Sequence, residues 1–215
     1  MLRSIATGTG SAAVLLALAV PVQSDDTCSC LSEYVDQSSR AVTPELMQEM
    51  ADRFGREDAE ASAFFSTDND MGGPYSFEWP TGPFVVEMNG GTSEWSGRTT
   101  LSLRYIRSRE QIENDELLMQ DLDLEPGESI LRDLAESALT MWHDEAPVQI
   151  EGPGDFVLLS SDESELYLAC GDALMHVTVN QNIPGEPVDP DQPGIDADGR
   201  TVLGHFAGQL LTGCD

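Results

Sequence analysis

The sequence predicts an α+β domain: an antiparallel sheet of about five strands with helices packed on it, in the order α-ββ-α(α)-βββ-α. Three observations predict it. Short apolar runs fall into two groups joined by tight turns, as hairpins and meanders require. Longer segments carry apolar residues at helical spacing on one face only. Helices of that kind bury their single face by lying on a sheet.

The first element is not part of the domain. Arg3 is the only charge before Asp25, and residues 12–20 are continuously apolar. Nine apolar residues suit a signal-peptide core, whereas a membrane span needs ~20. Pro21 breaks any helix there, and Val22 and Ser24 place cleavage before Asp25. Residues 1–24 are therefore expected to be a secretory signal. Residues 25–42 read as an extended polar leader, and 43–215 as one α+β domain.

Thr43-Pro44-Glu45 is a helix start: a hydroxyl cap, a proline in the first turn and an acid at the positive end of the dipole. Leu46, Met47, Met50, Ala51 and Phe54 continue it at helical spacing to about residue 54, and the pattern allows extension to Phe65. Residues 66–82, rich in Gly, Pro, Asp and Asn, read as loop. Phe84–Met88 and Arg98–Arg107 read as strands flanking the Asn89-Gly90-Gly91 turn, with Leu101, Leu103 and Tyr105 alternating on one face.

Ser108 and Gln111 form a capping-box pattern opening a short acidic helix to about Gln120. A longer helix is expected from Glu128 to His143, with Ile130, Leu131, Leu134, Ala135, Ala138, Met141 and Trp142 as its apolar face. Three strands follow, over 155–160, 165–170 and 173–180. Ser161–Ser164 and the tight Gly171-Asp172 pair connect them. Residues 181–198 read as loop. Val202, Leu203, Phe206, Ala207, Leu210 and Leu211 mark a terminal helix.

Composition bounds the function. All ten basic residues are Arg and none is Lys, against 39 acids, for a net charge of −29. Cleavage after Ser24 would remove Arg3 and no acid, leaving 191 residues at −30. That charge repels nucleic-acid phosphates and anionic lipid surfaces, so neither is an expected partner. Absence of Lys excludes a P-loop lysine, a Schiff base and a Ser-Lys nucleophile pair. Nothing after residue 24 is apolar enough for a membrane span, so no insertion is expected after cleavage. The acidity fits a surface that keeps the protein dispersed in salty surroundings.

Cys28, Cys30, Cys170 and Cys214 are even in number and would meet an oxidising compartment, so two disulfides are expected. A Cys28–Cys30 bridge would close a strained ring, which leaves two pairings that tie the N-terminal segment to Cys170 and Cys214. Cys-x-Cys as a metal or redox site lacks neighbouring ligands.

The hairpin Thr99–Arg107, the stretch Leu166-Tyr167-Leu168-Ala169-Cys170-Gly171-Asp172-Ala173-Leu174 and the helix 200–212 resemble a group of small exported actinobacterial proteins of unassigned function with a PsbP-like α+β domain. The likeness spans about residues 43–212. It implies a fold and an exported location, and no catalytic set. The lipobox cysteine of the lipoprotein members is missing here, since Asp25, Asp26 and Thr27 precede Cys28.

His143-Asp144-Glu145 is the best candidate for acid–base chemistry, although a histidine in the last turn of a helix also suits the dipole as a cap. His176 and His205 read as surface or core-edge residues. Asp189, Asp191, Asp196 and Asp198-Gly199 suggest calcium, but with Gly199 at the sixth loop position the first falls on Gly194 and the twelfth on His205, neither a usable ligand. Asp68-Asn69-Asp70 is weaker still. Arg98, Arg104, Arg107 and Arg109 concentrate positive charge that neighbouring acids are expected to neutralise, with an anion site as the alternative. Trp79 and Trp95 could together make a carbohydrate or peptide contact if exposed, or plug the sheet if not.

No cofactor motif is present. The expected role is a non-enzymatic protein of the extracellular or envelope space that binds a small ligand or a protein. The alternatives are a secreted hydrolase using His143 with a carboxylate, and a calcium-dependent adhesion or structural protein.

Overall fold

The computed structural model describes residues 31–35, 38–55, 59–65, 75–88, 91–143, 145–182 and 199–212. The α+β class holds. Residues 31–33 form a helical turn, followed by helix α1 (Ser38–Ala41) and helix α2 (Pro44–Phe54). The described part of the expected extended leader is therefore partly helical. It is also anchored in the core, with Leu31, Ala41 and Val42 buried. Thr43 caps α2 as its sequence requires, its hydroxyl accepting the Leu46 N–H at 3.2 Å.

Among the described residues the sheet has seven strands rather than about five. They are β1 (Ser62–Phe65), β2 (Tyr75–Met88), β3 (Gly91–Ser108), β4 (Val148–Ile150), β5 (Phe156–Leu159), β6 (Glu165–Cys170) and β7 (Ala173–Asn182). Their order is β1-β2-β3-β7-β6-β5-β4, antiparallel throughout. The two unforeseen strands, β1 and β4, are the edges. Each pairs on one side only and is short, so sequence alternation has little length in which to show. Residues 62–65 are strand, not a continuation of α2. Of the expected loop 66–82, residues 66–74 lie outside the described residues, and the rest is strand, since β2 begins at Tyr75.

Between β3 and β4 lie α3 (Arg109–Glu113), α4 (Glu116–Asp121) and α5 (Ile130–Trp142). The capping box forms: Ser108 Oγ accepts the Gln111 N–H at 3.2 Å, and Gln111 Oε1 accepts the Ser108 N–H at 2.9 Å. Asp115 divides the expected single acidic helix in two by capping α4 through the Leu118 N–H. Helix α6 (Gly199–Thr212) closes the described chain.

Both sheet faces are covered, giving two cores. On one face α2 and α6 place Met50, Phe54, Leu203 and Phe206 against Phe77, Leu101, Leu168 and Val177. On the other, α5 places Ile130, Leu134 and Leu139 against Phe156, Leu158, Tyr167 and Leu174. Double coverage explains why Leu166–Cys170 are all buried, since a strand apolar on both sides needs cover on both.

One irregularity in β3 decides where the site sits. Leu103 pairs with Val177 and Tyr105 with His176, so Arg104 is an extra residue with no partner on β7. A bulge of this kind reverses the side-chain alternation beyond it. Leu101 and Leu103 enter the α6-side core as expected, but Tyr105 passes to the α5 side and Ile106 takes over. Helix α5 also departs from its expected face. Ile130, Leu131, Leu134, Ala135 and Leu139 are buried, whereas Met141 and Trp142 are exposed.

Cys170 is fully buried and is not a free thiol. Cys28, Cys30 and Cys214 lie outside the described residues, as does the proposed signal segment. Among the described residues no helix is long and apolar enough to cross a membrane.

Candidate binding cleft

The site is built at the C-terminal end of α5, where the helix stops covering the sheet. His143 leaves the helix with extended backbone, its N–H still bonded to the Leu139 carbonyl. This turns the imidazole onto the sheet, where it is largely buried. Its Nδ1 lies 3.4 Å from Asp162 Oδ1 and its Nε2 3.7 Å from Glu165 Oε1. Nε2 is buried without a hydrogen-bond partner among the described residues.

The other oxygen of Glu165 serves a second histidine. His176 Nε2 donates to Glu165 Oε2 at 2.9 Å. One carboxylate thus stands between two imidazoles, one from β7 and one from the end of α5. The His176 hydrogen bond is the main reason the Glu165 carboxyl is held below the usual carboxylate range, against the opposing effect of burial. Burial pushes His176 below its ordinary value, against the pull of Glu165. The ring of Tyr167 stacks on His176 at 4.1 Å with 9° between planes, and Tyr105 meets His176 edge-on at 5.3 Å. The rings of Tyr105 and Tyr167 meet edge-on at 6.4 Å, and burial raises both hydroxyls above the usual phenol value. The edge-on contact of Tyr105 depends on the bulge, which delivers Tyr105 to this face.

Asp162 is fixed by its own turn. Ser160 and Ser164 hydroxyls each donate to its Oδ1 at 2.7 Å, and the Ser164 N–H does so at 3.1 Å. Burial pushes its carboxyl up, but these bonds outweigh that and hold it below the usual range. Glu163 takes a left-handed conformation (φ 59°) to close the turn. Gly199, at the start of α6, packs against it so closely that a Cβ would lie 2.0 Å from the Glu163 carbonyl oxygen.

Of these groups Asp162, Glu163, Glu165, Tyr167, His176 and Gly199 line an open cleft of about 680 Å³. Arg104, pushed out by the bulge, forms part of its wall, and Trp142, 74% exposed, stands at its edge. A volume of this size is ordinary for a small-molecule site. A second cavity of about 470 Å³ lies on the other face under α6, lined by Val157, Leu166 and Leu168 together with Arg200 and His205.

Of the residues singled out from sequence, His143 stands behind the cleft wall against Asp162 and Glu165 without lining the cleft itself, Asp144 lies outside the described residues, and Glu145 is exposed and not among the cleft's lining residues either. His176, read as a surface or core-edge residue, is part of the cluster. His205 is a tie between helices: its Nε2 donates to Glu49 Oε1 at 2.7 Å. Arg98, Arg107 and Arg109 pair with Glu78, Asp115 and Asp172, as neutralisation predicts. Arg104 has no ion pair among the described residues. Trp79 is fully buried, which removes a joint surface with Trp95. The acidic loop at 189–198 and Asp68–Asp70 lie outside the described residues. Among the described residues no group of three His, Cys, Asp or Glu side chains could hold a metal ion.

Glu165, Tyr167, Asp162 and the special position of Arg104 were not singled out by the sequence reading. Comparison with known proteins gives no match: no family model, no curated protein and no solved structure matches the chain.

Proposed function

We propose that the protein is an exported, non-enzymatic binding protein of the extracellular or envelope space, and that the cleft beside α5 takes a small polar ligand. The observation that carries this reading is Glu165 standing between His143 and His176 in an open cleft. A buried donor–acceptor cluster of this kind, next to solvent-filled space, suits orientation of a polar molecule. Export rests on the apolar run 12–20 and the Ser24–Asp25 boundary. The likeness to exported PsbP-like domains rests on the three segments quoted for it and adds no site.

The test is a thermal-shift screen of small polar compounds on wild type and Glu165→Gln. A compound near 100 times its dissociation constant stabilises by about 2.7 kcal/mol, a shift easily read. The reading requires compounds that raise the wild-type melting temperature and lose that effect in Glu165→Gln. Stabilisation that survives the substitution would move binding elsewhere, the cavity under α6 first. Mass spectrometry of native material is expected to find Asp25 at the N-terminus and two disulfides joining Cys28 and Cys30 to Cys170 and Cys214.

A second reading, hydrolysis with His143 as base, draws on its closeness to Asp162 and Glu165. The nearby Ser160 and Ser164 hydroxyls both donate to Asp162 rather than to a histidine, so neither is set up as a nucleophile. Turnover of ester or amide substrates lost in His143→Gln would favour this reading. Heat on titration with Ca²⁺ would favour the calcium-dependent role.

A further inference from the structure

We propose that the cleft's ligand is a small zwitterion of the free amino-acid class, its carboxylate on Arg104 and its ammonium against Glu165 and Asp162. This rests on the cleft being a binding site, as proposed above, and adds the charge pattern of its occupant.

The first observation is Arg104. In a chain with 39 acids, Arg98, Arg107, Arg109 and Arg132 each find a carboxylate within ion-pair distance, Arg53 lies over the Phe54 ring, and Arg200, like Arg104, has no side-chain ion pair among the described residues. Arg104 has no ion pair or hydrogen bond among the described residues, although Glu165 and the buried His176 and Tyr167 feel its charge. The bulge that inserts it is the reason: it carries the side chain out of register, onto the cleft wall. A guanidinium presents a planar fork of donors that matches a carboxylate.

The second observation is the opposite charge across the same cleft. Glu165 and Asp162 are fixed in place by His176, Ser160 and Ser164, so their acceptor oxygens are already oriented. His143 Nε2, buried and without a hydrogen-bond partner among the described residues, lies beside them. An ammonium brings up to three donors, which suits the oriented oxygens of two carboxylates.

The third is the field of the whole molecule. At a net charge of −29, a free anion is repelled before it reaches Arg104, and a simple cation would leave Arg104 unused. A zwitterion has no net charge to be repelled and satisfies both walls. Trp142 at the edge offers an indole face to whatever side chain the ligand carries.

The experiment is NMR on the full secreted chain, following the His143 and His176 imidazoles and the Trp142 indole. The probe is a mixture of the twenty free amino acids, each in the millimolar range, and then the best single amino acid with its α-amide and its N-acetyl derivative. The mixture should shift all three residues. The amide, which lacks the carboxylate, and the N-acetyl form, which lacks the ammonium, should each bind at least about tenfold more weakly. Arg104→Gln should lower affinity for the amino acid by a similar factor and leave the amide unchanged. Equal binding of either derivative, or full affinity in Arg104→Gln, overturns the zwitterion assignment. If a mixture of neutral monosaccharides shifts the three residues and amino acids do not, the assignment fails while the cleft reading stands. If neither mixture shifts them, both fall.

Discussion

Glu165→Gln should lower stability by about 1–1.5 kcal/mol at pH 7, even though it removes a charge from a chain that carries 39 acids. Two effects compete. The 2.9 Å bond from His176 to the Glu165 carboxylate is sheltered, with the carboxylate only 23% exposed. A charge-assisted bond there contributes ~1.5–3 kcal/mol, and a neutral amide acceptor ~0.5–1.5. Against that loss stands relief of repulsion. At about 0.15 M salt, charges more than ~8 Å apart are screened, so relief amounts to a few tenths of a kcal/mol. The loss wins, and for a domain of this size it should appear as a fall of about 2–6 °C in Tm. Calorimetry of wild type, Glu165→Gln and the exposed control Glu128→Gln measures it.

The sign with pH follows from the depressed carboxyl of Glu165. A depressed folded-state value gives stability that is present above the unfolded value, near 4.5, and is lost as pH falls through the folded one. The gap between wild type and Glu165→Gln should therefore hold from neutral pH down to about 5.5 and close below about 4.5. A variant as stable as wild type at pH 7, or a gap indifferent to acid, would refute the account of this cluster.

Three further outcomes are expected. His176 is held below its ordinary value of 6.5 by burial, so the unfolded chain takes up its proton first and stability falls as pH drops below 6.5. His176→Phe should flatten that limb of the urea-derived stability curve, and an unchanged slope would count against it. Gly199→Ala should cost ~1–3 kcal/mol because its Cβ meets the Glu163 carbonyl, while Gly204→Ala, in open space on the same helix, should gain ~0.5–1. Urea midpoints in the reverse order would contradict the packing. Tm should rise between low and moderately high salt, because the charge of −29 repels itself, and a flat response would remove the salt-adapted reading.

Where the sequence was legible, a local physical rule sufficed. The Thr43 cap, the Ser108–Gln111 box and the apolar spacing of α6 each depend on neighbours within a few residues, and each forms as read. Part of the site was readable as well. Counting outward from the tight Gly171-Asp172 turn pairs Cys170 with Ala173 and, three steps on, Tyr167 with His176. That register puts an aromatic ring beside the histidine without any structure. What was not readable depends on contacts far apart in the chain. The bulge at Arg104 is set by pairing with β7, some seventy residues away, and nothing in Arg98–Arg107 announces a change of alternation. The exposure of Trp142 depends on where α5 crosses the sheet, which its own periodicity does not specify. Short edge strands β1 and β4 give too few residues for a pattern.

The cleft then follows from a mismatch of lengths. Helix α5 has 13 residues and so spans about 20 Å, whereas β7 has 10 and spans about 33 Å. The helix cannot cover the whole strand. Had the uncovered part been apolar, it would have been a liability in water. Instead β7 carries His176, Thr178 and Asn180 on that side, with Leu174 where the helix still lies over it. The polar groups begin where the cover ends, and the bulge in the next strand adds Arg104 at that same level. A longer α5 would bury His176 and Glu165 completely and leave their remaining bonding capacity unused, which is costly for a charged group. The point where α5 stops therefore has to match the point where β7 turns polar, and a cleft with fixed, oriented polar groups is the consequence.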